Sequence, residues 1–193
     1  MKKIFGLAFC GMLVAALFAP VRADDYKDAL DRFMITELVN RYAFMHDTSN
    51  IEGYADLFTG DAVMYDDTMH YTFAAGRASI IKAALSDKAK FNPTATDNGP
   101  PHFGKLRHIM SNIVVFLNPD GKTATGYCYV TQITNKPGFG PVVIGEGHYQ
   151  DHYVKQNGKW LFSRRDLYAV EMANWGLAKE LNLANGPLPT AAK

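Results

Sequence analysis

Residues 107–134 read RHIMSNIVVFLNPDGKTATGYCYVTQIT. Two runs rich in Ile, Val, Tyr and Thr flank Asn118-Pro119-Asp120-Gly121, a strong hairpin turn. The pattern repeats downstream. Val142–Val154 and Lys159–Glu171 flank Gln156-Asn157-Gly158, and Asn135 to Pro141 supplies a wider turn between the two hairpins. With Arg107–Leu117 and Thr123–Thr134 this makes four long strands in succession, joined by short connections, and predicts an antiparallel meander.

Upstream of the meander the period changes. Ile35, Leu38, Val39, Tyr42 and Met45 recur at helical spacing, with Arg32, Glu37 and Arg41 elsewhere. Asp47-Thr48-Ser49-Asn50 ends that helix and offers caps to a short second one, whose apolar face is Ile51, Tyr54, Ala55 and Phe58. Thr59-Gly60-Asp61 reads as a turn, Ala62 to Tyr65 and Tyr71 to Ala74 as strands. Gly76 precedes a third helix carrying Ile80, Ile81, Ala84 and Leu85. Residues 88–104, rich in Asn, Pro, Thr and Gly, read as a long loop, either a lid or binding loop or a tolerated surface insertion. The tail after Met172 holds one or two amphipathic turns around Trp175, Leu177 and Leu181, then frays at Pro187 and Pro189. Helices gathered early and strands run together make an α+β domain. A strongly curved sheet around the long helix leaves a cone-shaped pocket.

The chain begins with Lys2 and Lys3, an uncharged apolar run from Ile4 to Ala19, and Val21-Arg22-Ala23, which has small residues where a signal peptidase reads. This predicts a signal peptide over 1–23 and a single exported domain over 24–193, in a bacterial periplasm or secreted, with no stable membrane anchor after cleavage. An uncleaved anchor is the competing reading, but the core falls short of the roughly 20 residues a span needs. Without Lys2, Lys3 and Arg22 the basic count falls from 20 to 17 against 19 acids. The resulting slight acidity gives no reason to expect nucleic acid. Cys10 leaves with the signal, so Cys128 has no partner for an intrachain disulfide, and the fold must rest on packing.

Several stretches together resemble the SnoaL-like branch of the nuclear-transport-factor-2-like superfamily. They are Ile35-Thr36-Glu37-Leu38-Val39-Asn40-Arg41-Tyr42 with Asp47, Tyr54 to Val63, Gly76-Arg77, Arg107 to Asn112, Gly147 to Tyr153, and Asn157 to Phe162. The resemblance spans most of Asp31 to Tyr168. It implies a cone-shaped α+β barrel, a curved mixed or antiparallel sheet wrapped around the N-terminal helices, with a deep apolar pocket. Members of the branch include scytalone dehydratase, hexachlorocyclohexane dehydrochlorinase and polyketide cyclases, which work without metal or organic cofactor. The superfamily forms dimers and trimers, so a homo-oligomer is expected. In the dehydratase and the dehydrochlorinase an Asp–His pair moves the proton, and Asp47 and His108 match that pair.

The residues support this unevenly. A carboxylate at a helix C-terminus opposes the dipole, so Asp47 is out of place unless it has a function or caps the next helix. His108 lies on a strand whose two faces both read as apolar, with Met110, Asn112, Val114 and Phe116 on its own face, so it is a core histidine or lines a cavity. Tyr42, Tyr65, Asn112 and Tyr129 are candidate substrate-binding residues; Tyr42 and Tyr65 also read as core residues, Asn112 as a partner for backbone groups, and Tyr129 as a ring that fills the pocket. His148 and His152 on one strand stand roughly 13 Å apart, too far to share an ion. His46, His70 and His102 lack a ligand spacing, so no metal is expected. No phosphate loop or nucleophile elbow is present.

These features predict a cofactor-independent lyase or isomerase, dehydratase-like, acting on a small apolar or aromatic molecule by His–Asp general acid/base chemistry. The alternatives are an exported, non-catalytic binder of small ligands and a dimerising interaction module of the same fold.

Overall fold

The computed structural model describes residues 23–96, 100–136 and 138–169. Residues 1–22 of the expected signal peptide and the tail expected after Met172 lie outside them. Helix α1 spans Ala23–Asp47 and α2 Ile51–Ala55. Strands β1 (Phe58–Asp66) and β2 (Tyr71–Ala75) precede α3 (Arg77–Phe91). The meander follows as β3 (Leu106–Leu117), β4 (Thr123–Lys136), β5 (Gly140–Gln156) and β6 (Lys159–Ala169). No helix among the described residues is long and apolar enough to cross a membrane.

The four long strands pair consecutively and antiparallel, as their turn chemistry predicts. At the last hairpin Asn157 and Gly158 both take positive φ, 50° and 78°, as a two-residue turn that follows the strand twist requires. Strand β1 then joins β6 in parallel, giving one mixed sheet in the order β2-β1-β6-β5-β4-β3. The outer strands β2 and β3 do not pair with each other, so the mixed sheet of this α+β fold is open at its edges.

Helix α1 packs across the sheet against β3 and β6. Its inward stripe is Asp31, Ile35, Leu38, Val39, Tyr42, Ala43 and Asp47, which recur at helical spacing of three and four, so an apolar stripe begins and ends on a buried aspartate. Asp31 accepts hydrogen bonds from Lys155 at 2.5 Å and the Trp160 indole at 2.9 Å. That pins the start of α1 to the end of the sheet.

Three local expectations are corrected. Thr59-Gly60-Asp61 is no turn: it lies inside β1, where the pairing with β6 jumps from Phe58↔Phe162 to Val63↔Arg164. Helix α3 continues through Phe91 and stops before Pro93, so the connection is shorter than residues 88–104. The connection is also tied down at both ends. The Asn92 amide donates to Ser49 Oγ (2.9 Å) and to the His102 carbonyl (2.6 Å), and Lys105 N–H donates to the Phe91 carbonyl (2.7 Å).

The third correction bears on the site. Strand β3 carries a bulge: Ser111 faces Tyr129 and Val114 faces Tyr127, so Asn112 and Ile113 together oppose Cys128. Asn112 takes φ 52°. The extra residue switches the faces. Before it, His108 points inward and Ile109 outward; after it, Val115 is buried while Val114 and Phe116 are about half exposed. The strand is therefore not covered on both faces as its composition suggests.

Candidate functional site

Asp47 and His108 meet under the C-terminal end of α1. The His108 Nδ1–H donates to Asp47 Oδ1 at 2.7 Å, and the His108 main-chain N–H donates to Asp47 Oδ2 at 2.8 Å. Both carboxylate oxygens are thus engaged by one residue, which fixes the ring and its strand together. Both side chains are almost wholly buried. This answers the dipole conflict: Asp47 is held by donors from β3 and does not cap α2, a role taken by Asn50, whose Oδ1 accepts from Gly53 N–H.

The second His108 nitrogen does not face open space. Gln132, on β4 opposite His108, places its Nε2 at 3.0 Å from His108 Nε2. An amide NH₂ donates, so His108 Nε2 is the acceptor and Nδ1 carries the proton. Gln132 reaches across because its partner on β5 is Gly145: a Cβ there would stand 2.6 Å from Gln132 Oε1.

His46 adds a second imidazole. Its ring meets that of His108 edge to face, centroids 4.6 Å apart. Its Nε2 lies 3.3 Å from Asp87 Oδ2 on α3, and its Nδ1 lies 3.7 Å from Asp47 Oδ1. Burial pushes the His46 imidazole down, but the nearby Asp47 and Asp87 carboxylates outweigh this and hold it at about 9. For His108, burial and the neighbouring His46 charge outweigh the Asp47 bond, and its proton affinity falls below the ordinary value. Burial pushes the Asp47 carboxyl up; the hydrogen bonds from His108 and the neighbouring His46 overcome that and hold it below the usual range. A recess lined by His46, Asp47, Asp87, Lys88, Asn92 and Leu106 lies beside the group.

His46, Asp47 and His108 bring ligand atoms within 4.8 Å of one another. Around a tetrahedral ion, with bonds near 2.0–2.1 Å, donor atoms stand about 3.3 Å apart. The 2.7 Å contact between His108 and Asp47 is instead the length of a charge-assisted hydrogen bond, so the arrangement fits a shared-proton cluster better than a ligand set.

Of the other sequence candidates, only Tyr42 joins the pair. Its buried ring lies 6.2 Å from His108, and its hydroxyl lies 3.4 Å from that of Tyr149. Tyr65 faces away: Ala62 and Met64 take the inner side of β1, and Arg164 sits 5.3 Å from the Tyr65 ring. Asn112 is exposed on the bulge and does not share the face of His108, because its positive φ turns the strand there. Tyr129 is 56% exposed on the outer face.

Sequence reasoning missed His46, Asp87 and Gln132. A histidine in the last turn of a helix, next to an aspartate, was the available signal for the first. It also missed a buried charge pair inside the sheet. Arg165 is fully buried and donates to both oxygens of Asp151, each at 2.8 Å. The rings of Tyr42, Tyr149 and Phe162 stand 4.0–4.3 Å from its guanidinium carbon. Burial pushes the Cys128 thiol beside it up to about 12, so it stays a thiol.

The SnoaL-like domain family matches residues 27–166. No curated protein matches the sequence. Solved structures share the fold at low identity. A protein of unknown function from Mycobacterium tuberculosis is 22% identical, over 81% of this chain and 79% of that one, with TM-score 0.64. A candidate scytalone dehydratase from Novosphingobium aromaticivorans is 22% identical, over 75% and 87%, with TM-score 0.60. LinA is 17% identical, over 76% and 90%, with TM-score 0.60.

Proposed function

The chain belongs to the SnoaL-like family, and we propose that it is a lyase or isomerase that moves a proton on a small apolar or aromatic molecule without an organic cofactor. The observation that carries this reading is the buried Asp47–His108 pair, with Nδ1 of the imidazole committed to the carboxylate. In that tautomer Nε2 is the basic nitrogen. It is covered by Gln132, so a substrate must displace the carboxamide to reach it. The freed amide N–H can then donate to a substrate carbonyl.

In the proposed step, His108 Nε2 takes a proton from carbon next to that carbonyl, and the C–H electron pair moves onto the carbonyl oxygen as an enolate. Asp47 stabilises the imidazolium so formed. Collapse of the enolate expels a leaving group from the β carbon, which the imidazolium protonates, giving a lyase. Reprotonation at another carbon gives an isomerase. A positioned base contributes about 10²–10⁴-fold. A candidate scytalone dehydratase has the same fold, which agrees with a lyase in this class without naming a substrate.

The test is a turnover screen of small aromatic and enolisable ketones with the wild type, His108→Ala and Asp47→Asn, each checked for folding by circular dichroism. His108→Ala should lose about 10²–10⁴-fold of the rate. Asp47→Asn should lose less, since a misoriented imidazole still accepts a proton. Unchanged turnover in His108→Ala would assign the base elsewhere. Ligands that bind wild type and are never converted would make the protein a binder.

A further inference from the structure

The two histidines of the site have opposite hydrogen-bonding surroundings. Each nitrogen of His108 has a different kind of partner, a carboxylate on Nδ1 and an amide NH₂ on Nε2, which suits a neutral ring. Both nitrogens of His46 face carboxylates, Asp47 at 3.7 Å and Asp87 at 3.3 Å. A neutral imidazole has one N–H and would turn a lone pair toward one of those anions; only the cation donates to both. His46 Nδ1 is buried and makes no direct hydrogen bond, so its proton is held by charge rather than by a short contact.

We propose that His46 is a positioning residue of the site: a standing imidazolium, clamped between Asp47 and Asp87, that keeps the adjacent His108 free of a proton and so ready as a base.

The ring geometry supports this. At a centroid distance of 4.6 Å, two charged imidazoles would repel strongly, so one proton is shared out to the ring with two anions. The groups facing the pair from each packed element are consistent with that outcome. Helix α1 contributes Asp47 and Tyr42, α2 contributes Tyr54, whose ring is 5.4 Å from His46, and β4 contributes the neutral Gln132. Helix α3 contributes Asp87, with Lys90 3.8 Å from its carboxylate and Lys88 in the recess wall. Asp47 serves both rings, so the charge on His46 also offsets the carboxylate that would otherwise draw a proton onto His108. The resting site then holds two carboxylates, one cation and one free base, with the proton affinity of His108 held below its ordinary value. Burial and the two carboxylates together place His46 at about 9, in line with this assignment.

This inference rests on His108 being the base, but its test needs no substrate. Histidine-labelled protein is titrated by NMR from pH 4 to 10, with ring nitrogen and Cε1–H shifts followed in the wild type, His46→Gln and Asp87→Asn. The expected wild type shows His46 doubly protonated through neutrality and His108 as the Nδ1–H tautomer. In His46→Gln, the His108 midpoint should rise by about two pH units, as loss of a unit charge about 5 Å away in a buried site of effective dielectric near 20 predicts. In Asp87→Asn, which alters a half-exposed carboxylate and spares the core, the His46 midpoint should fall. Equimolar zinc should leave both rings unmoved. A His46 that is neutral at pH 7, or a His108 midpoint unchanged in His46→Gln, would overturn the proposal. So would stoichiometric zinc binding at both rings. If the titrations agree while no compound is turned over, the charge arrangement stands and the enzymatic reading fails by itself.

Discussion

At His108 and His46 the same side chain takes two protonation states within one site, and partner chemistry decides which. This has a consequence for stability. His46, raised to about 9 from 6.5, contributes stability that is fully present below about pH 6.5 and is lost as pH rises through about 9. His108 is lowered, so the unfolded chain binds that proton more readily, and stability falls as pH drops below about 6.5. The melting temperature should therefore peak near neutrality, and the alkaline limb should flatten in His46→Gln. Thermal melts from pH 5 to 10 check both limbs. Gln132 offers a complementary test. Gln132→Glu puts a carboxylate on Nε2 of His108, which should convert the ring to its cation at pH 7, read as a doubly protonated ring by NMR, and abolish any turnover that depends on a free base.

At the scale of the element, β3 is the decisive strand. Its bulge lets one strand present His108 to the interior and, eight residues on, Phe116 to the exterior. Asn112 occupies the position with φ 52°, which Asn and Gly tolerate and β-branched residues do not. Asn112→Val should cost roughly 1–2 kcal/mol, whereas Asn112→Gly should stay within a few tenths of the parent. Urea unfolding curves of the two variants give the comparison. Helix α1 is the other element that sets the site. Its stripe is apolar for packing, yet its last inward residue is Asp47, delivered onto the His108 backbone and side chain together.

For the whole molecule, the interior of the sheet is organised around a charge pair. Arg165 and Asp151 have no exposed side-chain surface, and each is satisfied largely by the other. Removing one partner leaves a buried charge, so Asp151→Asn should destabilise by about 3–5 kcal/mol, measured by chemical denaturation. The opposite side of the sheet carries a different message. Ile109, Val114, Phe116, Tyr127, Tyr129 and Val143 are each 45–57% exposed across β3, β4 and β5. An apolar patch of this kind on a sheet face is usually covered, and we propose that a second copy of the chain covers it, in keeping with the expected homo-oligomer. Light scattering should find an oligomer in the wild type and a smaller mass for a Phe116→Lys, Tyr129→Lys double variant; an unchanged mass would place the interface elsewhere.

The meander, the long helix and the pairing of Asp47 with His108 were legible in the residues. Those rest on local chemistry and on a pattern: Asn-Gly and Pro-Asp-Gly turns, apolar spacing of three and four, and residues matched to a known family. Tertiary structure alone decided the rest. The parallel addition of β1 to β6 and the open edges follow from long-range pairing, which leaves no local mark. One bulge residue reversed the faces of Val114 and Phe116, because strand alternation propagates from wherever it is broken. His46, Asp87 and Gln132 come from α1, α3 and β4, and their chemistry depends on which atoms lie within about 4 Å, a distance set by packing. An imidazole carries its charge according to its neighbours, so sequence could name His108, but only the fold could set His46 beside it and say which of the two holds the proton.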